Sequence, residues 1–321
     1  MLVMQGTSLP LLADVTDAAH PLTICSFAGA WQPQLVTQTM VSWYASQGPP
    51  GAPSTSAIVT LDVFSGISAL VATWTGNGFM DGLYAWSPDQ SLLAYITSDA
   101  SAVNLHLLSG GGDRVVASLG PVPGRGVSPT EDDAYLGFSA DGGSFALEQT
   151  FTSAGDRLQV RRAYDGGLAY SQASSTMATW GSSGSRLYFR QPLGTQISVW
   201  DSTSGVSTAF GQSLAWIKPR ADAGDDYLAF SVRDSSGTPH VWLYGHGGRA
   251  GGMLVGVRAS PVFLNTTTLF YVEEASCSPN CGPGPATQPD GRTFTYDIGR
   301  GVESPSSIAS VLGSWPRPGQ I

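Results

Sequence analysis

The chain alternates short apolar runs with turn-forming residues along most of its length. The stretch 86–96, WSPDQSLLAYI, shows the unit clearly: Trp86 closes one strand, a turn follows, and Leu92–Ile96 form the next strand. Pro88 at the second turn position with Asp89 beside it favours a type I turn. No apolar stripe with the helical period of 3.6 competes with this reading. The pattern therefore predicts β-strands joined by tight turns.

The same unit recurs at intervals of about 47 residues, which lies within the ~40–50-residue period of propeller blades. The aromatic anchors that close the first strand of each unit are Trp31, Trp86, Phe138, Trp180, Trp216, Phe263 and Trp315. Later in each unit a two-strand hairpin surrounds Ser-Gly or Gly-Gly, as at 57–74, 196–210 and 240–257. Each unit thus holds four antiparallel strands, which is one blade.

These repeats predict an all-β fold, a single β-propeller domain over residues 1–321. The blades are expected to start near 26, 81, 133, 175, 211 and 258, and the termini, 1–20 and 303–321, to close the ring. In that composite blade Ile308–Trp315 is the inner strand, Leu2–Met4 and Leu9–Ala13 form the outer hairpin, and the second strand is missing. A six-bladed ring is the alternative, and seven blades are favoured.

The strings WSPDQSLLAYI and FSADGGSFAL resemble the repeat of TolB-like (WD-like) bacterial propellers, whose typical form is a W-S-P-D-G turn before an apolar strand. This resemblance implies the propeller fold. It implies little about function, because such propellers serve as scaffolds, as sensors and as halves of enzymes.

Composition narrows the function classes. Hydrophobic residues make up 42% of the chain, charged residues 12%, and 40 glycines with 21 prolines suit many turns. A net charge of −9 repels phosphate backbones, so nucleic acid is not expected as a partner. No apolar run reaches the ~18 residues of a transmembrane helix. The N-terminus has no positively charged region and is not a convincing signal peptide, so the chain is either cytosolic or the mature part of an exported protein.

The three cysteines bear on the cellular compartment. Cys277 and Cys281 lie four residues apart in a Pro/Gly-rich loop, and Pro279-Asn280 between them favours a turn that suits a disulfide. We expect this bond, with Cys25 left as a buried thiol in an inner strand. Such a disulfide favours an extracytoplasmic location, periplasmic or secreted. Three free thiols would instead favour the cytoplasm.

The sequence offers no catalytic constellation. Gly181–Gly184 lies in a blade turn and lacks the spacing of a nucleophile elbow. The four histidines, His20, His106, His240 and His246, are expected to be surface or packing residues. Acidic clusters at 131–133 and 222–226 are expected to be solvated loop charge, with a Ca²⁺ site as the alternative. The formal glycosylation sequon at Asn265 is expected to be a turn.

A channel-mouth site is the one binding site that the repeats predict. The residues five before each anchor should begin the inner strands and converge on the axis, where they would hold a cation or a small charged ligand. They are Ser26, Asp81, Asp133, Ser175, Gly211, Arg258 and Ser310. The remaining tryptophans, Trp43, Trp74, Trp200 and Trp242, are expected to pack between blades.

The favoured function is therefore a non-enzymatic, rigid platform that binds a protein or a small ligand and forms part of an envelope or secreted protein. The alternative is a propeller enzyme, a lyase or hydrolase, with its active site at the channel mouth.

Overall fold

The structure is a computed structural model of the 321-residue chain. It describes residues 2–5, 11–26, 31–47, 54–76, 83–98, 101–120, 135–149, 157–173, 176–182, 184–191, 196–212, 217–223, 227–233, 238–245, 252–253, 257–273, 292–308, 311 and 313–315.

All the regular secondary structure within these residues consists of β-strands. The first fifteen are β1 (Leu2–Gln5), β2 (Leu11–Asp14), β3 (Leu22–Ser26), β4 (Trp31–Leu35), β5 (Met40–Gln47), β6 (Ser54–Asp62), β7 (Ser68–Gly76), β8 (Tyr84–Trp86), β9 (Leu92–Ser98), β10 (Val103–Ser109), β11 (Gly112–Gly120), β12 (Tyr135–Phe138), β13 (Ser144–Gln149), β14 (Arg157–Arg162) and β15 (Leu168–Ala173). The rest are β16 (Thr176–Trp180), β17 (Arg186–Arg190), β18 (Gln196–Asp201), β19 (Val206–Gln212), β20 (Ile217–Ala223), β21 (Tyr227–Arg233), β22 (Pro239–Gly245), β23 (Gly252–Met253), β24 (Arg258–Phe263), β25 (Thr268–Glu273), β26 (Thr293–Asp297), β27 (Val302–Ser306) and β28 (Gly313–Trp315).

The strands form seven antiparallel four-stranded sheets. Six are built from consecutive strands, and we number them sheets 1 to 6 from β4–β7 through β24–β27. The seventh, here called the composite sheet, has the order β28-β1-β2-β3 and joins the two ends of the chain. The prediction of an all-β fold of four-stranded antiparallel sheets is confirmed. Among the described residues, no helix is long and apolar enough to cross a membrane.

Seven apolar clusters join neighbouring sheets in a closed cycle. Leu12 of the composite sheet packs with Leu35 and Val41 of sheet 1, and each later sheet packs on the next in the same way. The last cluster returns from Phe270 of sheet 6 to Ala13 of the composite sheet. The first strands of five neighbouring pairs of sheets also lie against one another, which places them nearest the axis. This is the architecture of a β-propeller.

The composite sheet differs from the prediction in two ways. It does not lack a second strand, because β1 pairs directly with β28. Its outermost strand is β3, Leu22–Ser26, which the sequence reading assigned to the start of the first blade. The inner strand of sheet 1 instead begins at Trp31 itself. The error arose because both segments are short and apolar, and periodicity alone does not tell an inner strand from an outer one.

The anchor aromatics close the inner strands in five of the seven sheets, as at Trp86 and Trp180. Trp86 is buried between sheets 1 and 2, and Trp180 is buried between sheets 3 and 4. Trp180 also donates its indole N–H to the Gly137 carbonyl of the neighbouring sheet at 2.8 Å. The four further tryptophans all pack on inter-sheet clusters, as predicted; these are Trp43, Trp74, Trp200 and Trp242.

The outer edges of six sheets are protected against pairing with another strand. Each of β3, β7, β11, β15 and β19 shifts register against its neighbour through a bulge or irregularity. Strand β27 has no such shift but contains Glu303 and Pro305. Bulges, charges and prolines are the usual means of blocking edge-to-edge association. Binding by addition of a strand is therefore not what these edges favour.

Candidate functional site

The residues proposed for the channel mouth do not share one location. Arg258 begins the inner strand β24, as predicted. Ser26 ends the outermost strand β3, and Gly211 lies in the outermost strand β19, so neither lies at the axis. The prediction counted five residues back from each anchor aromatic. That count fails in sheets 1 and 5, because β4 begins at its anchor Trp31 and β20 begins after its anchor Trp216. The other proposed residues lie outside the described part of the chain; they are Asp81, Asp133, Ser175 and Ser310.

The charge of Arg258 is satisfied within its own sheet. Its Nη2 donates to Glu303 Oε1 at 2.8 Å and its Nη1 to Glu273 Oε1 at 3.3 Å. The guanidinium carbon lies 3.8 Å from the centre of the Phe294 ring. Tyr271 donates its hydroxyl to Glu303 Oε2 at 2.6 Å. This network holds sheet 6 together, and it leaves Arg258 poorly suited to bind a ligand at the mouth.

The pKa values in this network follow from burial and pairing. Burial alone would raise the pKa of Glu303, but the hydrogen bonds from Arg258 and Tyr271 outweigh it and lower that pKa. Burial would likewise lower the pKa of Arg258, and Glu303 more than offsets this. The pKa of Tyr271 is raised, first by burial and then by Glu303. All three shifts favour an ion pair with a neutral tyrosine at physiological pH.

A second polar cluster has the connectivity of an acid–histidine–hydroxyl relay. His106 Nδ1 lies 2.9 Å from Asp113 Oδ2, and its Nε2 lies 3.0 Å from Thr97 Oγ1. Tyr95 stacks on the imidazole with ring centres 4.8 Å apart. Catalysis by such a relay needs an accessible hydroxyl beside bound substrate. Thr97 is only 8% exposed, so its hydroxyl is poorly placed to act as a nucleophile. The cluster instead links three strands of sheet 2.

The other candidate residues of the sequence have structural surroundings or lie outside the described residues. His20 is exposed and contacts Asp17 at 2.9 Å, and His240 is half-buried on β22. The side-chain Oδ1 of Asn265 accepts the N–H groups of Thr267 and Thr268, so the sequon forms a turn as predicted. Within the described part, no three His, Cys, Asp or Glu residues group as metal ligands. His246 and residues 131–133, 225 and 226 lie outside it, and Asp222 belongs to β20.

The predicted disulfide between Cys277 and Cys281 stays a prediction. Cys277 and Cys281 lie outside the described residues. Cys25 is a free, half-buried thiol that packs against the cluster of Leu12, Leu35 and Val41, on an outer rather than an inner strand. Burial raises the pKa of this thiol, which keeps it protonated and unreactive.

The turns between the third and fourth strands share a rigid form, and its aspartate is a feature that the sequence analysis did not single out. In three sheets an aspartate is followed four residues later by glycine and then by an aliphatic residue, at 62–67, 201–206 and 297–302. Asp62 Oδ1 accepts the N–H of Ser65 at 2.8 Å, and Asp201 Oδ1 accepts that of Ser204 at 2.9 Å. The glycines have φ near +70°, a conformation that other residues seldom adopt.

Exposed apolar side chains project beside these turns. In five sheets an aliphatic residue at or next to the start of the outermost strand is at least half exposed: Leu22, Ile67, Leu168, Val206 and Val302. Phe64 and Tyr164 in the turns are each 74% exposed. We call these seven residues the outer rim. Because the strands alternate in direction, the rim lies on the same face of the ring as the turns between the first and second strands.

The solved structures that are similar to this chain are β-propellers. A prolyl endopeptidase structure matches over 92% of this chain and 46% of its own length, with a TM-score of 0.60 and 14% identity. The propeller domain of the Trilobed protease from Pyrococcus furiosus, described as having an open velcro topology, matches over 91% of this chain and 98% of that domain, with a TM-score of 0.56 and 9% identity. At these identities the likeness shows the fold alone.

TolB structures are also among the neighbours. TolB from Acinetobacter baumannii matches over 78% of this chain and 61% of its own, with 13% identity and a TM-score of 0.49. The chain thus spans less than two thirds of that protein and about half of the matched peptidases. No family model matches the sequence, and no curated protein matches it.

Proposed function

We propose that the chain is a rigid, non-enzymatic platform that binds another protein outside the cytoplasm, as part of an envelope or secreted protein. The observation that supports this most directly is the outer rim, where apolar side chains recur at corresponding places of five sheets. Apolar residues scattered singly on a surface need no explanation. Their repetition beside rigid turns on one face gives a partner protein fixed contact points.

The scaffold behind the rim favours binding without reorganisation. The turns that present the rim are held by aspartate-to-backbone hydrogen bonds, and seven clusters lock each sheet to its neighbours. A surface that is already ordered loses little conformational entropy when a partner binds. A ring of this kind suits recognition of a folded or extended protein surface.

Three predictions from the sequence are carried into this proposal: a ligand site, a cellular location and a rival function. The channel mouth can still bind a small charged ligand or Ca²⁺ through Asp81, Asp133 and Ser175. The extracytoplasmic location depends on the disulfide between Cys277 and Cys281. A propeller enzyme, a lyase or hydrolase, is the rival function, and its site would lie at that mouth.

Co-purification from the source cells tests the platform. The parent chain is compared with a rim variant, in which Ile67, Val206 and Val302 are all changed to Ser, and with a control variant that changes Thr203, Thr208 and Ser304 to Ala. We expect at least one protein to co-purify with the parent and the control, and to fall about tenfold with the rim variant, a loss of about 1.4 kcal/mol. An unchanged set of partners in the rim variant would contradict the proposal.

Elemental analysis with activity profiling addresses the rival. A transition metal bound in a 1:1 ratio, with turnover that is lost on chelation, would establish the enzyme and remove the platform as the main function.

A further inference from the structure

The charge of the chain is concentrated in one arc of the ring. Residues 1–113 contain seven aspartates and no lysine, arginine or glutamate. The remaining 208 residues contain 17 acidic and 15 basic residues, so the first third carries −7 of the formal net charge of −9. This third supplies β1–β3 of the composite sheet, all of sheet 1 and the first three strands of sheet 2. These ten strands therefore contain aspartate but no lysine or arginine.

The most exposed aliphatic side chains lie in the same arc. Ile67 is 70% exposed, Leu22 69% and Leu70 68%, and Phe64 beside them is 74% exposed. The aliphatic rim residues of sheets 3, 4 and 6 are each exposed by about half. Apolar exposure and negative charge thus coincide on the composite sheet and sheet 1.

The strand register shows that Leu22 faces sheet 1. Leu22 pairs with Asp14, which lies two residues beyond Leu12 on β2. Paired residues, and residues two apart on one strand, share a face of the sheet. Leu12 packs in the cluster shared with sheet 1. Leu22 and Asp14 therefore lie on that side of the composite sheet.

Leu70 faces the composite sheet from the other side. It pairs with Val59 on β6, and Val59 lies two residues before Leu61. Leu61 and Val63 pack against the same shared cluster. The facing sides of the two sheets thus carry Leu22 on one and Leu70 on the other. We call the space between these two outer strands, β3 and β7, the groove.

One carboxylate flanks the apolar walls. Asp14 Oδ1 accepts hydrogen bonds from the Thr16 hydroxyl at 2.7 Å and the Thr16 N–H at 2.9 Å, and these lower the pKa of Asp14. Asp14 is therefore ionised at neutral pH. Asp62 lies on the other side of sheet 1, because it pairs with Met40, which packs in the cluster shared with sheet 2. We define the acidic groove as Leu22, Leu70 and Asp14.

We propose that the acidic groove binds a basic protein segment in which lysine or arginine residues alternate with aliphatic or aromatic ones. Leu22 and Leu70 would bury the apolar side chains, and Asp14 would pair with a cation. Complementary charge also steers the encounter and excludes wrong partners. An arc without lysine or arginine disfavours anionic lipid, nucleic acid and acidic peptides. The inference rests on the proposed platform function and names its partner's chemistry.

A binding assay with defined peptides tests the groove. The probe is a fluorescein-labelled decapeptide of alternating Leu and Lys, titrated with the full chain and followed by anisotropy at 0.05 and ~0.15 M salt, where screening weakens surface charge pairs. Two peptides, alternating Leu with Glu and Ser with Lys, separate the apolar and charged contributions. We expect saturable binding of the Leu/Lys peptide alone, weakened at the higher salt.

Paired variants locate the binding. Leu22→Ser with Leu70→Ser, and separately Asp14→Asn, are each expected to weaken binding about tenfold or more, the effect of losing about 1.4 kcal/mol. The matched control, Val115→Ser with Asp141→Asn, changes an exposed valine of sheet 2 and an exposed aspartate of sheet 3 and should leave binding unchanged. Circular dichroism checks that each variant is folded.

Several results would overturn the inference: equal binding by groove and control variants, equal binding of the Ser/Lys or Leu/Glu peptide, or binding of anionic vesicles or single-stranded DNA in place of the Leu/Lys peptide. If the peptide fails while the rim variant still loses its co-purifying partner, the groove assignment is wrong and the platform function stands. If both fail, both are wrong.

Discussion

The buried carboxylate of Glu148 offers the sharpest test of how neighbouring sheets are held in register. Glu148 lies on β13 and is only 1% exposed. Its Oε1 accepts the N–H of Met177 at 3.0 Å, and its Oε2 accepts that of Ala178 at 2.9 Å, both on the inner strand β16 of the next sheet. Met177 has φ of 60°, so the strand is bulged where the carboxylate binds it. The carboxylate therefore accepts the N–H groups of a bulge, Met177 and Ala178, that lies outside the regular pairing of β16 with β17.

Replacement of Glu148 by alanine removes both acceptors. Hydrogen bonds to a charged group contribute about 1.5–3 kcal/mol each, and a buried N–H left without a partner costs about 1–3 kcal/mol. Partial relaxation around the smaller side chain reduces the sum, so we expect Glu148→Ala to lower the free energy of unfolding by about 3–5 kcal/mol. Glu148→Gln keeps one acceptor oxygen and should cost about half as much.

Urea denaturation followed by tryptophan fluorescence measures these changes. Asp17→Ala serves as the matched control, since Asp17 is an exposed carboxylate that also accepts a backbone N–H, from Ala19. Hydrogen exchange adds a local readout, because the amides of Met177 and Ala178 should lose protection in Glu148→Ala. Changes at the surface usually alter the free energy of unfolding by less than about 0.5 kcal/mol. If Glu148→Ala lowers it by no more than that, the reasoning is refuted.

Three further predictions concern other parts of the molecule. Trp86→Ala should cost about 3–5 kcal/mol in urea denaturation, because Trp86 is buried between sheets 1 and 2, whereas the exposed Phe64→Ala should leave the midpoint unchanged. Intact-mass analysis after alkylation of the denatured, unreduced protein should show one labelled thiol if Cys277 and Cys281 are bonded; three labels would exclude the disulfide. The pKa of Glu303 is lowered in the folded state from 4.5, so its stabilising effect is complete above that value and disappears as the pH falls through the folded pKa. Glu303→Gln should therefore show a weaker loss of stability on acidification below about pH 4.5 than the parent; identical pH profiles would show that the Arg258 ion pair does not stabilise the fold.

Much of the architecture could be predicted from the sequence because the repeat is local. The stretch around Trp86 contains its own strand, turn and strand, so a tight turn and an apolar period of two are enough to identify it. The tryptophans between blades follow from the same alternation. Local patterns of this kind survive in most units, which is why the sequence alone predicts the four-stranded sheets.

The ends and the site could not be predicted in the same way, since they depend on pairing between distant segments. Strand β3 was assigned to the wrong sheet, because its apolar residues suit either an inner or an outer strand, and only its pairing with β2 decides. Arg258 was correctly placed on an inner strand, yet the sequence does not show that Glu303, 45 residues away, neutralises it. The acidic groove likewise joins Leu22 and Leu70 through the closure of the ring.

Site-specific photo-crosslinking tests most directly whether binding occurs at the outer rim. A photoreactive residue is placed singly at Phe64, at Val302 and at Gln38, an exposed position in the turn between the first two strands of sheet 1. The protein is illuminated in its source cells, and the crosslinked products are identified by mass spectrometry. The account predicts a discrete partner protein from position 64 and none from position 38. Crosslinks from position 38 alone, with nothing from 64 or 302, would show that binding occurs towards the channel and would contradict the account.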